Sequence, residues 1–183
     1  MITIQRIHTS DKEYYRFAEN LLADAFPVEE RRELSLQRDY TDHNNRFHNN
    51  ILLSNEEPVG FISYWDFDRF CYVEHFAIDP SLRSNGYGQK VLTSLKEKLQ
   101  CPIVLEVELP EEEISIRRIG FYQRHGFQLW KEEYQQPPYR KGDGYLPMWL
   151  MADGDLNCEK DFEVVRDCIY KEVYNNATKL TKE

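Results

Sequence analysis

Residues 73–99, VEHFAIDPSLRSNGYGQKVLTSLKEKL, constrain the fold more than any other stretch. An apolar segment ends at Ile78, a short loop carries Arg83, Gly86 and Gly88, and Val91, Leu92, Leu95 and Leu99 then recur at helical spacing. A strand that feeds a helix through a tight turn is the opening half of a strand–helix–strand unit. The continuous apolar run PIVLEVEL, residues 102–109, supplies the second strand. Such a unit is expected to cross over right-handed, with its two strands parallel.

The flanking sequence fills in the rest. ITIQRIH alternates apolar and polar and reads as a first strand; Ser10 with Glu13 makes a capping box for a helix whose stripe is Tyr14, Phe17, Leu21 and Ala25. Pro27 stops that helix, and VEERRELSLQRDY predicts a second. ILLSNEEPVGFISYWDF holds two strands around Asn55–Pro58, and a further turn at Asp66–Arg69 leads into FCYVEHFAI, an antiparallel meander. EEEISIRRIGFYQRH is helical in pattern and ends at Gly126. FQLWKEEY and YLPMWLMA are the last strands, and Pro147 inside the second of them calls for a bulge or an edge. The fold class is therefore α/β, with a mixed, mostly antiparallel sheet, one strand–helix–strand crossover and flanking helices. Residues 1–152 form the domain, and residues 153–183 a C-terminal helical extension with Phe162, Val165, Cys168, Ile169 and Val173 on one stripe. That extension packs on the domain or on a partner, which leaves a homodimer open. The tip NNATKLTKE is expected to fray.

Composition narrows the partners. Lys and Arg number 23 against 32 Asp and Glu, so the net charge is 23 − 32 = −9, which repels nucleic acid and acidic membranes. The four cysteines lack C-x-x-C spacing and read as idle thiols; His43 and His48 miss the i, i+4 spacing of a metal pair, and no metal site is assigned. The N-terminus has no positive start followed by an apolar run, and no window approaches about 18 apolar residues. A soluble, cytoplasmic protein is expected.

The turn RSNGYGQK has a physical use. The first N–H groups of a helix lack internal partners and carry partial positive charge; Gly86 and Gly88 let the backbone curl and let an anion approach, and Arg83 and Lys90 add charge. A pyrophosphate suits such a nest. A plain strand-to-helix turn is the competing reading. Val91 breaks G-x-G-x-x-G, and there is no G-K-[ST], so neither the dinucleotide fingerprint nor the P-loop applies.

FAIDPSLRSNGYGQKVL resembles the [QR]-x-x-G-x-[GA] segment of the GCN5-related N-acetyltransferases (GNAT), and FYQRHGF resembles the F-Y-x-x-x-G-F segment of the same family, in the same order. The resemblance covers roughly Val59 to Trp149. It implies an acetyl-CoA site in which the amides of Arg83, Ser84, Asn85, Gly86, Tyr87 and Gly88 hold the pyrophosphate. Phe76, Ala77 and Ile78 would line the pantetheine arm, in a slot where IVLEVEL splays from FCYVEHFAI. It also implies Tyr122 as proton donor to the departing thiolate. Two family positions differ: Ser115 stands where an asparagine is usual and Arg118 where an alanine is, so Ser115 would bond the pantetheine and Arg118 face the phosphates or turn outward.

An amine with a pKa of about 10.4 arrives protonated and must lose that proton before it attacks. Glu74, where the family often carries a glutamate, is the expected base. Glu106, sharing a strand face with Glu108, is the reserve and a holder of a cationic acceptor; a salt bridge to Arg117 or Arg118 is the alternative fate of these glutamates. Glu29 and Glu30 suit an amine or simply a solvated helix start. The expected activity is acetyl transfer from acetyl-CoA to a primary amine on a small molecule or peptide, by direct attack in a ternary complex. A non-catalytic acyl-CoA-binding sensor or scaffold of the same fold is the alternative.

Overall fold

The computed structural model describes residues 2–175; the expectation of a frayed tip lies, but for Asn175, outside them. The described residues contain seven strands and five α-helices, a mixed α/β chain. It divides into two compact units, Met1–Ile103 and Val104–Glu183.

In the first unit β1 (Ile2–Arg6), β2 (Phe47–Ser54), β3 (Glu57–Asp66) and β4 (Cys71–Ile78) pair in that order, each antiparallel to the next. The β2–β3 hairpin turns at Asn55 and Glu56, with φ of 51° and 67°, as a tight two-residue turn requires. Helix α1 (Lys12–Ala25) seals one face: Tyr15, Ala18, Leu21 and Leu22 bury against Ile51, Leu53, Phe61 and Ala77. Its cap is Asp11 rather than Ser10, and the Asp11 carboxylate accepts from the N–H of His8 at 2.8 Å. The second expected helix is split. Val28–Glu30 forms a single 3-10 turn, Arg31 and Arg32 run on outside any helix, and α2 spans Leu34–His43. Helix α3 (Tyr87–Leu99) buries Val91, Leu92 and Leu95 of the stripe its spacing predicts and leaves the fourth member, Leu99, half-buried.

β4 is not a regular partner of β3. Ser63 faces His75 and Tyr64 faces Val73, so Glu74 is the extra residue of a bulge. Further along, β3 approaches β4 so closely that a β-carbon on Gly60 would lie 2.3 Å from the carbonyl oxygen of Ala77. Only glycine fits there.

The second unit carries β5 (Ile103–Glu108), which enters it from the boundary, then α4 (Glu113–Arg124), β6 (Gln128–Gln136), β7 (Leu146–Asp153) and α5 (Cys158–Glu172). Strand β7 lies between β5 and β6. Gly126, at φ 93°, ends α4 as expected. Pro147 is accommodated beside an irregularity: Trp130 pairs with Leu150 and Tyr134 with Met148, so Lys131, Glu132 and Glu133 bulge opposite Trp149. Helix α5 starts at Asn157, whose side chain caps the N–H of Lys160 at 3.2 Å, and buries Phe162, Val165, Ile169 and Tyr170. It packs within its own unit: Phe162 meets Trp130 edge-on, and the Tyr170 hydroxyl donates to the Gln135 carbonyl at 2.6 Å.

No helix of the described residues is long and apolar enough to cross a membrane, and they contain no cluster of three or more His, Cys, Asp or Glu side chains placed to hold a metal.

Candidate functional site

The turn at 83–88 joins the end of β4 to the start of α3. Asp79 closes the end of β4: its carboxylate accepts from Ser81 N–H at 2.8 Å and Ser81 Oγ at 2.6 Å, and these bonds hold its pKa below the usual carboxylate range. The chain then enters the left-handed region twice, at Ser84 (φ 67°) and Gly86 (φ 73°), which caps α3. A β-carbon at Gly86 would meet nothing within 4 Å, so glycine supplies backbone angle there rather than room. The first rung of α3 runs from Lys90 N–H to Gly86 O at 3.2 Å. The N–H groups of Tyr87, Gly88 and Gln89 precede that ladder at the positive end of the helix. Arg83 and Lys90 are exposed, as are Ser84, Asn85 and Gly86. A cavity of about 490 Å³ borders the same helix start, lined by Ile2, Gly86, Gln89, Lys90, Thr93 and Ser94. Within this unit the structure brings Phe76, Ala77 and Ile78 to the end of β4, leading directly into the turn; Ala77 is buried and the other two are half-buried. These residues fit a diphosphate on a thioester-bearing arm.

Glu74 sits in a closed setting. One carboxylate oxygen is ion-paired with Nη2 of Arg32, and the other accepts from Trp65 Nε1 at 2.9 Å. The Arg32 and Glu74 side chains are 2% and 0% exposed. Arg32 also donates to Gln37 Oε1 at 2.6 Å, and its guanidinium lies 4.9 Å from the ring centre of Tyr40, 5.1 Å from Phe47 and 5.7 Å from Trp65. A base must meet an incoming amine, and this carboxylate presents no exposed surface; the geometry speaks against the proton-accepting role expected for Glu74. Glu29 is exposed on the 3-10 turn, whereas the carbonyl of Glu30 accepts from His75 Nε2 at 2.9 Å.

The second unit holds a different arrangement around Glu106. This half-buried carboxylate accepts from the Tyr134 hydroxyl, from Gln136 Nε2 at 2.6 Å and from the Tyr174 hydroxyl at 2.9 and 3.1 Å. Tyr134 and Gln136 are two apart on β6 and share a face, while Tyr174 arrives just past α5. Glu108 instead pairs at the surface with Arg118 Nη1 at 2.5 Å, so in this structure Arg118 is turned to a carboxylate. Ser115 is buried in the first turn of α4. Tyr122 is buried on the same helix against the rings of Phe121 and Phe127, and burial pushes its hydroxyl up to about 12, with Arg118 pulling the other way.

Arg32, Trp65, Tyr134, Gln136 and Tyr174 were not singled out by the sequence. Alternation along β6 places Tyr134 and Gln136 on one face, but nothing local points from them to Glu106. Arg32 lies 42 residues from Glu74.

Comparison with known proteins agrees with the motifs. The family model described as Acetyltransferase (GNAT) family matches residues 6–127. YjbC of Bacillus subtilis (strain 168), provisionally named an acetyltransferase, is 30% identical over 112 residues, a match spanning 58% of this chain and 54% of that protein's length. A solved structure from Bacteroides thetaiotaomicron, provisionally named a GNAT-family acetyltransferase, is 54% identical, superposes with a TM-score of 0.93 and covers 97% of this chain and 99% of its own. An aminoglycoside 6'-N-acetyltransferase solved with coenzyme A shares the fold at 15% identity, with a TM-score of 0.61 over 85% of this chain and 98% of its own. With the family model spanning most of the chain and both sequence motifs inside or at the edge of that match, this chain belongs to the GNAT family of acetyltransferases.

Proposed function

We propose that the protein is an acetyl-CoA-dependent N-acetyltransferase that acetylates a primary amine by direct attack in a ternary complex. The observation that carries this reading is the exposed nest at Ser84–Gly86, with the leading amides of α3 beyond it and Arg83 and Lys90 beside it. Acetyl-CoA, the acyl-donor substrate, supplies the acetyl group and leaves as the free thiol. The amides of residues 83–88 bind its diphosphate, and Phe76, Ala77 and Ile78 guide its arm along the end of β4. A main-chain N–H near Ile78 stabilises negative charge on the carbonyl oxygen. Ser115 is assigned to the arm. Arg118, paired with Glu108, is assigned to the phosphates only if that surface pair opens.

Tyr122 donates to the departing sulfur. Glu106, held by three neutral donors, is the acidic group we assign to the acceptor ammonium, with Glu29 as an outlying contact. Glu74 is assigned to the fold of the β4 bulge. Residues 1–152 carry the activity and 153–183 extend it; a cytoplasmic location goes with this reading.

Two measurements test the proposal. Saturating acetyl-CoA at about 100 times its dissociation constant adds about 2.7 kcal/mol of stability, a rise in Tm of roughly 5–10 °C for a chain this long. Thiol release is then followed across polyamines, aminoglycosides, amino acids and lysine peptides. No rise in Tm defeats the proposal. A rise without thiol release on any amine favours the second reading, an acyl-CoA-binding sensor or scaffold, to which the closed setting of Glu74 lends support.

A further inference from the structure

Cys71 opens β4 and Cys101 follows the cap of α3, 30 residues later, yet their sulfurs lie 3.2 Å apart as free thiols. The contact is imposed by the backbone. Gln100 turns the chain in the left-handed region at φ 51°, and Cys71 N–H donates to Pro102 O at 2.8 Å, which sets the two residues side by side. The pair is asymmetric: Cys71 is 1% exposed and Cys101 is half-buried. A cavity of about 370 Å³ is lined by both cysteines together with Tyr64, Asp66, Asp68 and Lys98.

We propose that Cys71 and Cys101 form a modifiable dithiol that closes to an intramolecular disulfide when a peroxide reaches it through this cavity. Cys101, the more open thiol, reacts first: its thiolate attacks the peroxide, a sulfur–oxygen bond forms as the oxygen–oxygen bond breaks, and water leaves with the thiol's proton. The Cys71 sulfur then attacks the Cys101 sulfenic acid; the sulfur–sulfur bond forms, the sulfur–oxygen bond breaks, and hydroxide departs with the Cys71 proton as a second water. Two thiols lose two electrons, and one peroxide becomes two waters. Burial, and then the neighbouring Cys101, push the Cys71 thiol up, so Cys71 is not the first to react; its part in the second step rests on the 3.2 Å separation of the two sulfurs.

The crosslink closes a loop containing β4, the turn at 83–88 and all of α3. It staples the segment that carries the anion nest, whatever that nest binds, so the thiol chemistry stands independently of the proposed activity.

The test uses the reduced full-length protein treated with hydrogen peroxide, followed by thiol counting and peptide mapping. Reactive thiols are expected to fall from four to two, with the Cys71 and Cys101 peptides joined at two hydrogens below their summed mass. Dithiothreitol should restore all four, and the oxidised form should melt roughly 5–10 °C higher. Cys101→Ser should abolish the crosslink. The double variant Cys158→Ser, Cys168→Ser, which leaves both proposed partners in place, should retain it. Four persistent thiols, a disulfide to Cys158 or Cys168, or Cys101 carried to sulfinic acid while Cys71 stays alkylatable would overturn the proposal.

Discussion

Arg32 and Glu74 close on one another 42 residues apart, with both side chains essentially out of contact with water and three aromatic rings around the guanidinium. A charge pair removed from solvent is weak evidence of net stabilisation, but removing one partner strands the other. Arg32→Met should therefore cost about 3–5 kcal/mol. The double variant Arg32→Met, Glu74→Leu should recover a substantial part of that loss. Urea unfolding of the wild type, both single variants and the double variant measures the coupling. A loss in the double variant equal to the sum of the two single losses would show that the pair itself contributes nothing.

Gly60 permits the close approach of β3 to the end of β4. The atom facing its missing side chain is the backbone oxygen of Ala77, at 2.3 Å from where a β-carbon would stand, and no rotamer can relieve that. Gly60→Ala should displace Ala77 and Ile78 and destabilise the protein by about 2–3 kcal/mol. Under the proposed function it should also shrink the Tm rise produced by acetyl-CoA. Thermal melts with and without the coenzyme test both effects in one experiment.

What the sequence disclosed, and what it did not, divides by the distance over which residues act. The turn at 83–88, the α3 stripe of Val91, Leu92 and Leu95, and the stop at Gly126 are set by neighbours within a few residues, and all lie where spacing put them. The start of α1 failed at the same scale because Asp11 competes with Ser10 and turns back to His8. The break between Glu30 and Leu34 has a tertiary cause: Arg32 is drawn into the pocket of Glu74 and Trp65, and the carbonyl of Glu30 is held by His75. Cys71 meeting Cys101, and Tyr174 meeting Glu106, likewise depend on strand placement that no local pattern encodes.

His75 is buried as a ring whose Nε2 lies 2.9 Å from the Glu30 carbonyl, edge-on to Phe26. Burial holds its pKa below 6.5; Glu74 and the Glu30 carbonyl oppose this, and Arg32 and Arg31 reinforce it. His48 is shifted the same way, first by burial and then by Arg6. Below about pH 6.5 the unfolded chain binds protons that the folded chain refuses, so stability is retained above that pH and lost below it. Each histidine should contribute a slope of up to about 1.4 kcal/mol per pH unit. Urea midpoints at several pH values between about 7.5 and 5 should fall, and His75→Gln should flatten the curve.

Tyr122 keeps its proton throughout the neutral range because burial lifts its hydroxyl to about 12. A leaving thiol near pKa 8.5 is the stronger acid, so complete transfer from Tyr122 runs uphill by about 3–4 pH units. Its role in the proposed reaction is a hydrogen bond to sulfur as charge develops. Tyr122→Phe should lower kcat about 100-fold with KM for acetyl-CoA little changed. The wild-type rate should show no falling limb from this group below about pH 10. An unchanged kcat would remove Tyr122 from the chemistry.

Tyr174 brings the C-terminal extension to Glu106 with a hydroxyl 2.9 Å from one carboxylate oxygen and 3.1 Å from the other. Gln136 and Tyr134 donate to the same group, so Tyr174→Phe removes one neutral donor among several and should cost about 1–2 kcal/mol. If Glu106 holds the acceptor ammonium, loosening the carboxylate should raise KM for the amine several-fold and leave KM for acetyl-CoA unchanged. Glu106→Gln keeps the shape but loses the charge, so it should raise the amine KM further. A fall in Tm with the amine KM unmoved in both variants would make this cluster an anchor for the extension alone, since an anchor has no reason to distinguish the two substrates.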